Sequence, residues 1–163
     1  MIIRLTQKLG KKIGVPPTRS LPLDANPYAD WSARLFTADR TQFILITNTL
    51  SLYSVVTYGR GITDDNAFIQ RMMNCLNEFL HDDGHAFLFE RLIAPASAQI
   101  QFSKALNRSV TGSMNDLEFY AKVHMIEDDL SPHETAIRLN DMPMLTLKCF
   151  NPREEFRAMK IGN

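Results

Sequence analysis

Asn107-Arg108-Ser109 places a guanidinium between two short polar side chains, a few residues ahead of Gly112-Ser113. Gly112 suits a turn, and Ser113-Met114-Asn115-Asp116 has the capping-box spacing in the form that admits aspartate. The pattern predicts a polar loop that feeds the N-terminus of an apolar helix. Free main-chain N–H groups at such a terminus, with an arginine and a hydroxyl beside them, suit a phosphate or a carboxylate. Asn107, Arg108, Ser109 and Ser113 are therefore the candidate anion site. A purely structural reading stands beside it: Gly112 turns the chain, Ser113 caps the helix and Arg108 pairs with a surface carboxylate. The stretch is neither a Walker loop nor a dinucleotide fingerprint, so it implies no nucleotide cofactor.

The remaining chemistry-bearing residues are less organised. His81-Asp82-Asp83-Gly84-His85 offers imidazole and carboxylate groups. Gly84 redirects the chain there, however, and no third ligand is identifiable elsewhere, so no metal site is assigned. His124 follows Leu117 by seven residues on one helical stripe and acts as a base only if a nucleophile faces it. Cys75 and Cys149 have neither metal-ligand spacing nor a nucleophile context, and no Gly-x-Ser-x-Gly elbow is present. No catalytic residue and no cofactor are assigned, and the balance leans away from an enzyme. Lys8, Lys11 and Lys12 share one side of an N-terminal helix and form a weak nucleic-acid candidate. With no aromatic platform and no helix-turn-helix, nucleic acid is the least favoured partner.

These residues are held by elements that the pattern outlines. Met1–Leu5 reads as a strand, and Thr6 as the cap of a short helix carrying Leu9 and Ile13. Pro16, Pro17, Pro22 and Pro27 mark the next stretch as a surface loop. Residues 33–58 read as a three-stranded antiparallel meander whose middle strand, Gln42–Asn48, is apolar on both faces and so lies inside the sheet. Thr63 is the expected cap of a helix with Phe68, Met72, Leu76, Phe79 and Leu80 on one stripe, closed by a left-handed Gly84. The apolar run 86–94 fits a strand or a helix equally. Ala98–Ser103 alternates as a half-buried strand. Ser131-Pro132-His133-Glu134 and Asn151-Pro152-Arg153-Glu154 each begin a helix, and 142–150 between them reads as a loop or a further strand. The sum is one α+β domain over residues 1–163: a mainly antiparallel sheet, four to five helices, and a helical last third.

Composition narrows the function classes. Of 163 residues, 18 are basic and 18 acidic, so no global field draws the chain to nucleic acid or an anionic membrane. The 45% hydrophobic content supports a full core, and no apolar run approaches the roughly 18 residues of a spanning helix. Two cysteines without a scaffold pattern, and no secretory signal, give a cytoplasmic expectation.

Five pieces carry a resemblance: Leu5-Thr6-Gln7-Lys8-Leu9, Leu35-Phe36-Thr37-Ala38-Asp39, Ser51-Leu52-Tyr53-Ser54-Val55-Val56, Asn107 through Asp116, and Asn151-Pro152-Arg153-Glu154. In order and spacing they resemble a family of small bacterial proteins of unknown function. The resemblance implies a bacterial, small, single-domain protein and transfers no functional residue. The leading expectation is a non-enzymatic binding or regulatory module that acts through protein contacts, with Met72, Met73, Met142 and Met144 as adaptable apolar surface. The alternative is a small-molecule binder or enzyme whose site is the 107–113 loop. A homodimer paired through a strand such as Ala98–Ser103 is compatible with either.

Overall fold

A computed structural model describes residues 1–162. Its sheet has five strands: β1 (Ile2–Leu5), β2 (Asp30–Ala38), β3 (Thr41–Asn48), β4 (Ser54–Tyr58) and β5 (Gln101–Ser103), in the order β4-β3-β2-β1-β5. β2, β3 and β4 form the expected antiparallel meander, with β3 between its two neighbours. β1 instead runs parallel to both β2 and β5, so the sheet is mixed. The connection from β1 to β2, through helix α1 (Gln7–Ile13) and the proline-rich segment, is long enough for the crossover that parallel strands need.

Alternation along the strands gives the sheet two covered faces. Ile3, Leu5, Trp31, Ala33, Leu35, Ile44, Ile46 and Val55 meet α1 and α2 (Asp65–Asp82), together with Phe89, Ile93 and Phe156. Phe36, Phe43, Leu45 and Val56 meet Met114, Leu117 and Ala121 of α4 (Arg108–Ile126) and Leu139 of α5 (Pro132–Asp141). The second face changes character toward β1, where the same alternation sets Arg4, Ser32 and Arg34 in place of apolar side chains. Met72 and Met73 pack into the first core, and Met142 and Met144 against the second, so these methionines do not gather as a surface patch.

Several boundaries differ from the sequence expectation, each for a local reason. α4 begins at Arg108, not at Ser113: Asn107 is extended and its Oδ1 accepts the Val110 N–H at 2.9 Å. Asparagine caps as well as serine does, and the earlier start adds a helical turn. Asp64 rather than Thr63 caps α2, its Oδ1 accepting the Ala67 N–H. The run 86–94 is helical, as α3 (Ala86–Leu88) and a π-turn over Phe89–Ile93 that buries both its end residues. Pro95 starts a 3-10 turn over Pro95–Ala98, which shortens the expected strand to Gln101–Ser103. Residues 142–150 are turns and bends without a strand, leading to α6 (Pro152–Ala158). The caps at Thr6, Ser131 and Asn151 are those the sequence predicts, and Gly84 has a φ of 79°.

Candidate functional site

A cleft of about 330 Å³ opens on the polar part of the second sheet face, beyond the carboxyl ends of β1 and β5. Its floor is Ser32 and Arg34 of β2, its roof Val110, Thr111 and Met114 of α4. Thr6 and Gln7 after β1, and Lys104 after β5, form its rim. The position follows from topology. The chain leaves β1 toward β2 on one side, while β5 lies on the other, and such a switch point leaves a crevice that helices do not fill.

Arg4 and Arg34 both line this cleft but are in different states. Arg4 is fully buried and fully used. Its Nε and Nη2 donate to the two Asp30 oxygens at 2.8 Å, and its remaining donors reach the carbonyls of Leu21 and Pro22 and the Ser103 hydroxyl. It fastens segment 21–24 across the sheet end, assisted by the Asp24 N–H on Asp30. Arg34 has a side chain only 10% exposed. Its Nη1 donates to Asn115 Oδ1 at 2.6 Å and to Glu118 Oε2 at 3.0 Å, while its buried Nε has no partner among the described residues. An orphaned donor on a buried cation is costly, and sites that carry one are where ligands are sought. Lys104 is exposed at the mouth and forms no ion pair among the described residues. Among the described residues no histidine, cysteine or carboxylate side chain lines the cleft. Behind that lining Asp30 balances Arg4 and Glu118 pairs with Arg34, which leaves Lys104 as the lining cation without a carboxylate partner among the described residues.

The residues singled out in the sequence are not gathered in this cleft. Asn107, Ser109 and Ser113 border a shallower one of about 230 Å³ on the other side of the α4 start, among leucines such as Leu50, Leu52 and Leu147. Arg108 is exposed and lines neither cleft. Ser113 is buried, with Oγ 3.3 Å from the Thr146 hydroxyl, because it belongs to the second helical turn. Asn107 has an indirect part: its carbonyl accepts both the N–H and the hydroxyl of Thr111, which orients that side chain in the cleft roof. Lys8 and Lys11 are exposed on α1, and Lys12 donates to Gln42 Oε1.

The titratable groups elsewhere are structurally engaged. His124 pairs with Asp128 one helical turn on, and His81 with the Asn77 carbonyl and Glu90. Tyr53 donates to Asp83 at 2.5 Å, Arg153 bridges Asp83 and Asp141, and the buried His85 accepts from Arg157. That network fastens α6 to the C-terminus of α2 beneath the Tyr53–Phe156 stack. The open space beside it is about 40 Å³, near that of one water. Burial pushes the Cys75 thiol up to about 11, and Glu155 and burial raise that of Cys149. Both cysteines therefore keep their protons at neutral pH. Among the described residues no three histidine, cysteine or carboxylate side chains gather as a metal site. Among the described residues no helix is long and apolar enough to cross a membrane.

The sequence reasoning missed Arg34, Ser32 and Lys104. The signal was present in the first two: polar residues at period two inside Trp31-Ser32-Ala33-Arg34-Leu35-Phe36, a strand otherwise wholly apolar. Lys104 has no such mark, since only the β5–α4 connection brings it to the cleft.

Neither a curated protein nor a solved structure matches the chain. A family described as a domain of unknown function, DUF6933, matches residues 2–155. That span takes in all five strands, both sides of the cleft and most of α6, and by it the chain belongs to the DUF6933 family.

Proposed function

We propose that this protein is a non-catalytic binding module for a small ligand that joins an anionic group, carboxylate or phosphate, to an apolar body. The observation that carries the reading is Arg34, a nine-tenths buried cation with an orphaned Nε in the wall of a crevice without acids. The anion sits between Lys104 and Arg34, beneath the first turns of α4. The apolar body lies against Ala105, Val110 and Met114. The volume is at the lower end of the roughly 300–1,000 Å³ of small-molecule sites. Binding without turnover suits a lining that holds no acid–base pair. Two free cysteines suit a reducing, cytosolic setting.

Thermal unfolding in the presence of phenyl phosphate, benzoate or inorganic phosphate tests this. A ligand at a hundredfold its Kd adds about 2.7 kcal/mol, or roughly 5–10 °C for a chain of this length. The shift is expected with at least one aromatic anion, smaller with phosphate alone, and lost in Arg34→Met and Lys104→Ala. Equal shifts in those variants, or none with any probe at millimolar concentration, would contradict it. A second reading, contact with a partner protein, is favoured by Phe119 and Tyr120, which lie exposed side by side on α4 with ring centroids 5.4 Å apart. It predicts that Phe119→Ser abolishes association with a partner without altering the anion response.

A further inference from the structure

The two edges of the sheet are finished differently. At β5 the chain covers its own edge: the Lys104 N–H donates to the Arg19 carbonyl, and Ser103 Oγ accepts the Leu21 N–H, both at 2.9 Å. At β4 the cover is partial. The bonds Gly59 N–H to Gln42 O and Asn48 N–H to Tyr53 O set the alternation of the β3–β4 ladder. By that alternation Ser54, Val56 and Tyr58 turn their main-chain groups away from β3.

What meets those outward groups changes along the strand. The Asn140 side chain pairs with Ser54 as a neighbouring strand does, its Oδ1 accepting the Ser54 N–H at 2.7 Å and its Nδ2 donating to the Ser54 carbonyl at 2.9 Å. The Tyr58 carbonyl accepts from Arg71 Nη1 at 3.0 Å. Between them the Val56 carbonyl meets only the Cys75 sulfur, at 3.8 Å. Among the described residues no acceptor meets the N–H groups of Val56 and Tyr58. They border a cleft of about 520 Å³, walled by Asn74 and Glu78 of α2 and by Pro132 and His133 of α5. The edge is thus begun by Asn140 in the manner of a strand and then left open.

We propose that this cleft takes an extended peptide segment of a partner protein, which adds to β4 beyond Asn140. The segment accepts from the Val56 and Tyr58 N–H groups and donates to the Val56 carbonyl, a span of about three residues at roughly 3.3 Å each. Small apolar side chains of the segment pack on Phe79 and Ala136 at the cleft base. A single strand is the occupant, not the sheet edge of a second copy. The walls come from helices on both sheet faces, and a second β4 would bring its own α2 and α5 into collision with them. The site lies at the opposite sheet edge from the anion cleft, so the two readings stand or fall separately.

Peptides selected on the full chain from a random library displayed on phage provide the probe, with affinity read by fluorescence anisotropy and amide hydrogen exchange by NMR. Without peptide, Val56 and Tyr58 should exchange far faster than Val55 and Thr57, whose N–H groups face β3. A selected peptide should slow Val56 and Tyr58 at least tenfold. Val56→Pro removes the outward donor at an edge position where proline is tolerated, and should weaken binding more than tenfold. Asn74→Trp, at an exposed α2 position, fills the cleft and should do the same, which keeps the test intact if the proline variant fails to fold. The proposal is overturned if no peptide is selected, if protection maps elsewhere, or if Asn74→Trp binds unchanged. Protection of β4 by concentration-dependent dimerisation alone also overturns it.

Discussion

Replacing Gly112 by alanine separates two accounts of the α4 start by sign, not by size. In the structure Gly112 is the fifth residue of α4, exposed, and without a positive φ. A Cβ built on it meets no atom within 4 Å. Alanine there relieves the backbone entropy cost of glycine in a helix interior and should stabilise by about 1 kcal/mol. For a chain of this length that raises Tm by about 2–4 °C. If Gly112 instead made a left-handed turn before a cap at Ser113, the same change would destabilise by about 1 kcal/mol or more. Gly10 is a contrasting case, because it is also helical but crowded. Its Cβ would meet Pro17 Cδ at 2.8 Å and the Pro16 Cα at 2.9 Å, so alanine there should destabilise. Urea unfolding followed by far-UV circular dichroism reads both. A lower urea midpoint for Gly112→Ala at unchanged slope would refute the assignment of Asn107 as the cap and, with it, the placement of Thr111 over the cleft.

Two further outcomes follow from the buried polar groups. Asp30→Ala strips the Arg4 guanidinium of its only carboxylate inside the fold and should cost about 3–5 kcal/mol, or a Tm lower by roughly 6–20 °C; a calorimetric loss below about 1 kcal/mol would contradict the view of Arg4 as a buried, fully paired cation. His85 is held below its ordinary pKa by burial and by the Arg157 charge, so the unfolded chain takes up the proton first as pH falls. Its contribution is complete above about pH 6.5 and is lost through the window below it. Urea midpoints should therefore fall between about pH 7.5 and about pH 5.5, and fall less in His85→Gln; an equal fall in both would rule His85 out as the cause.

Fold class and half of the helix starts were legible because local chemistry decides them. Thr6, Ser131 and Asn151 each cap within four residues, and the meander is written in alternation and turns. The parallel pairing of β1 was not legible, since Ile2–Leu5 carries no mark of which neighbours it will find across the sheet. The start of α4 was misplaced because two good capping residues, Asn107 and Ser113, compete six residues apart. Nothing local to either says that Val110 packs against the sheet and so favours the earlier one. The cleft was hidden for the same reason as β1. Its walls come from β1, β2, the end of β5 and α4, which only the crossover brings together. Arg34 and Ser32 were within reach, as polar residues at period two inside an apolar strand.

The central claim is that the crevice at the carboxyl ends of β1 and β5 holds a small anion with an apolar body. A titration of the ¹⁵N-labelled chain with phenyl phosphate, read as amide shift changes, tests it most directly. The account predicts saturable changes centred on Thr6, Gln7, Lys104, Val110 and Thr111, with the Arg34 Nε–H shifting alongside them, and none at Lys8 or Lys11. Saturable changes centred elsewhere, or none at all, would contradict it.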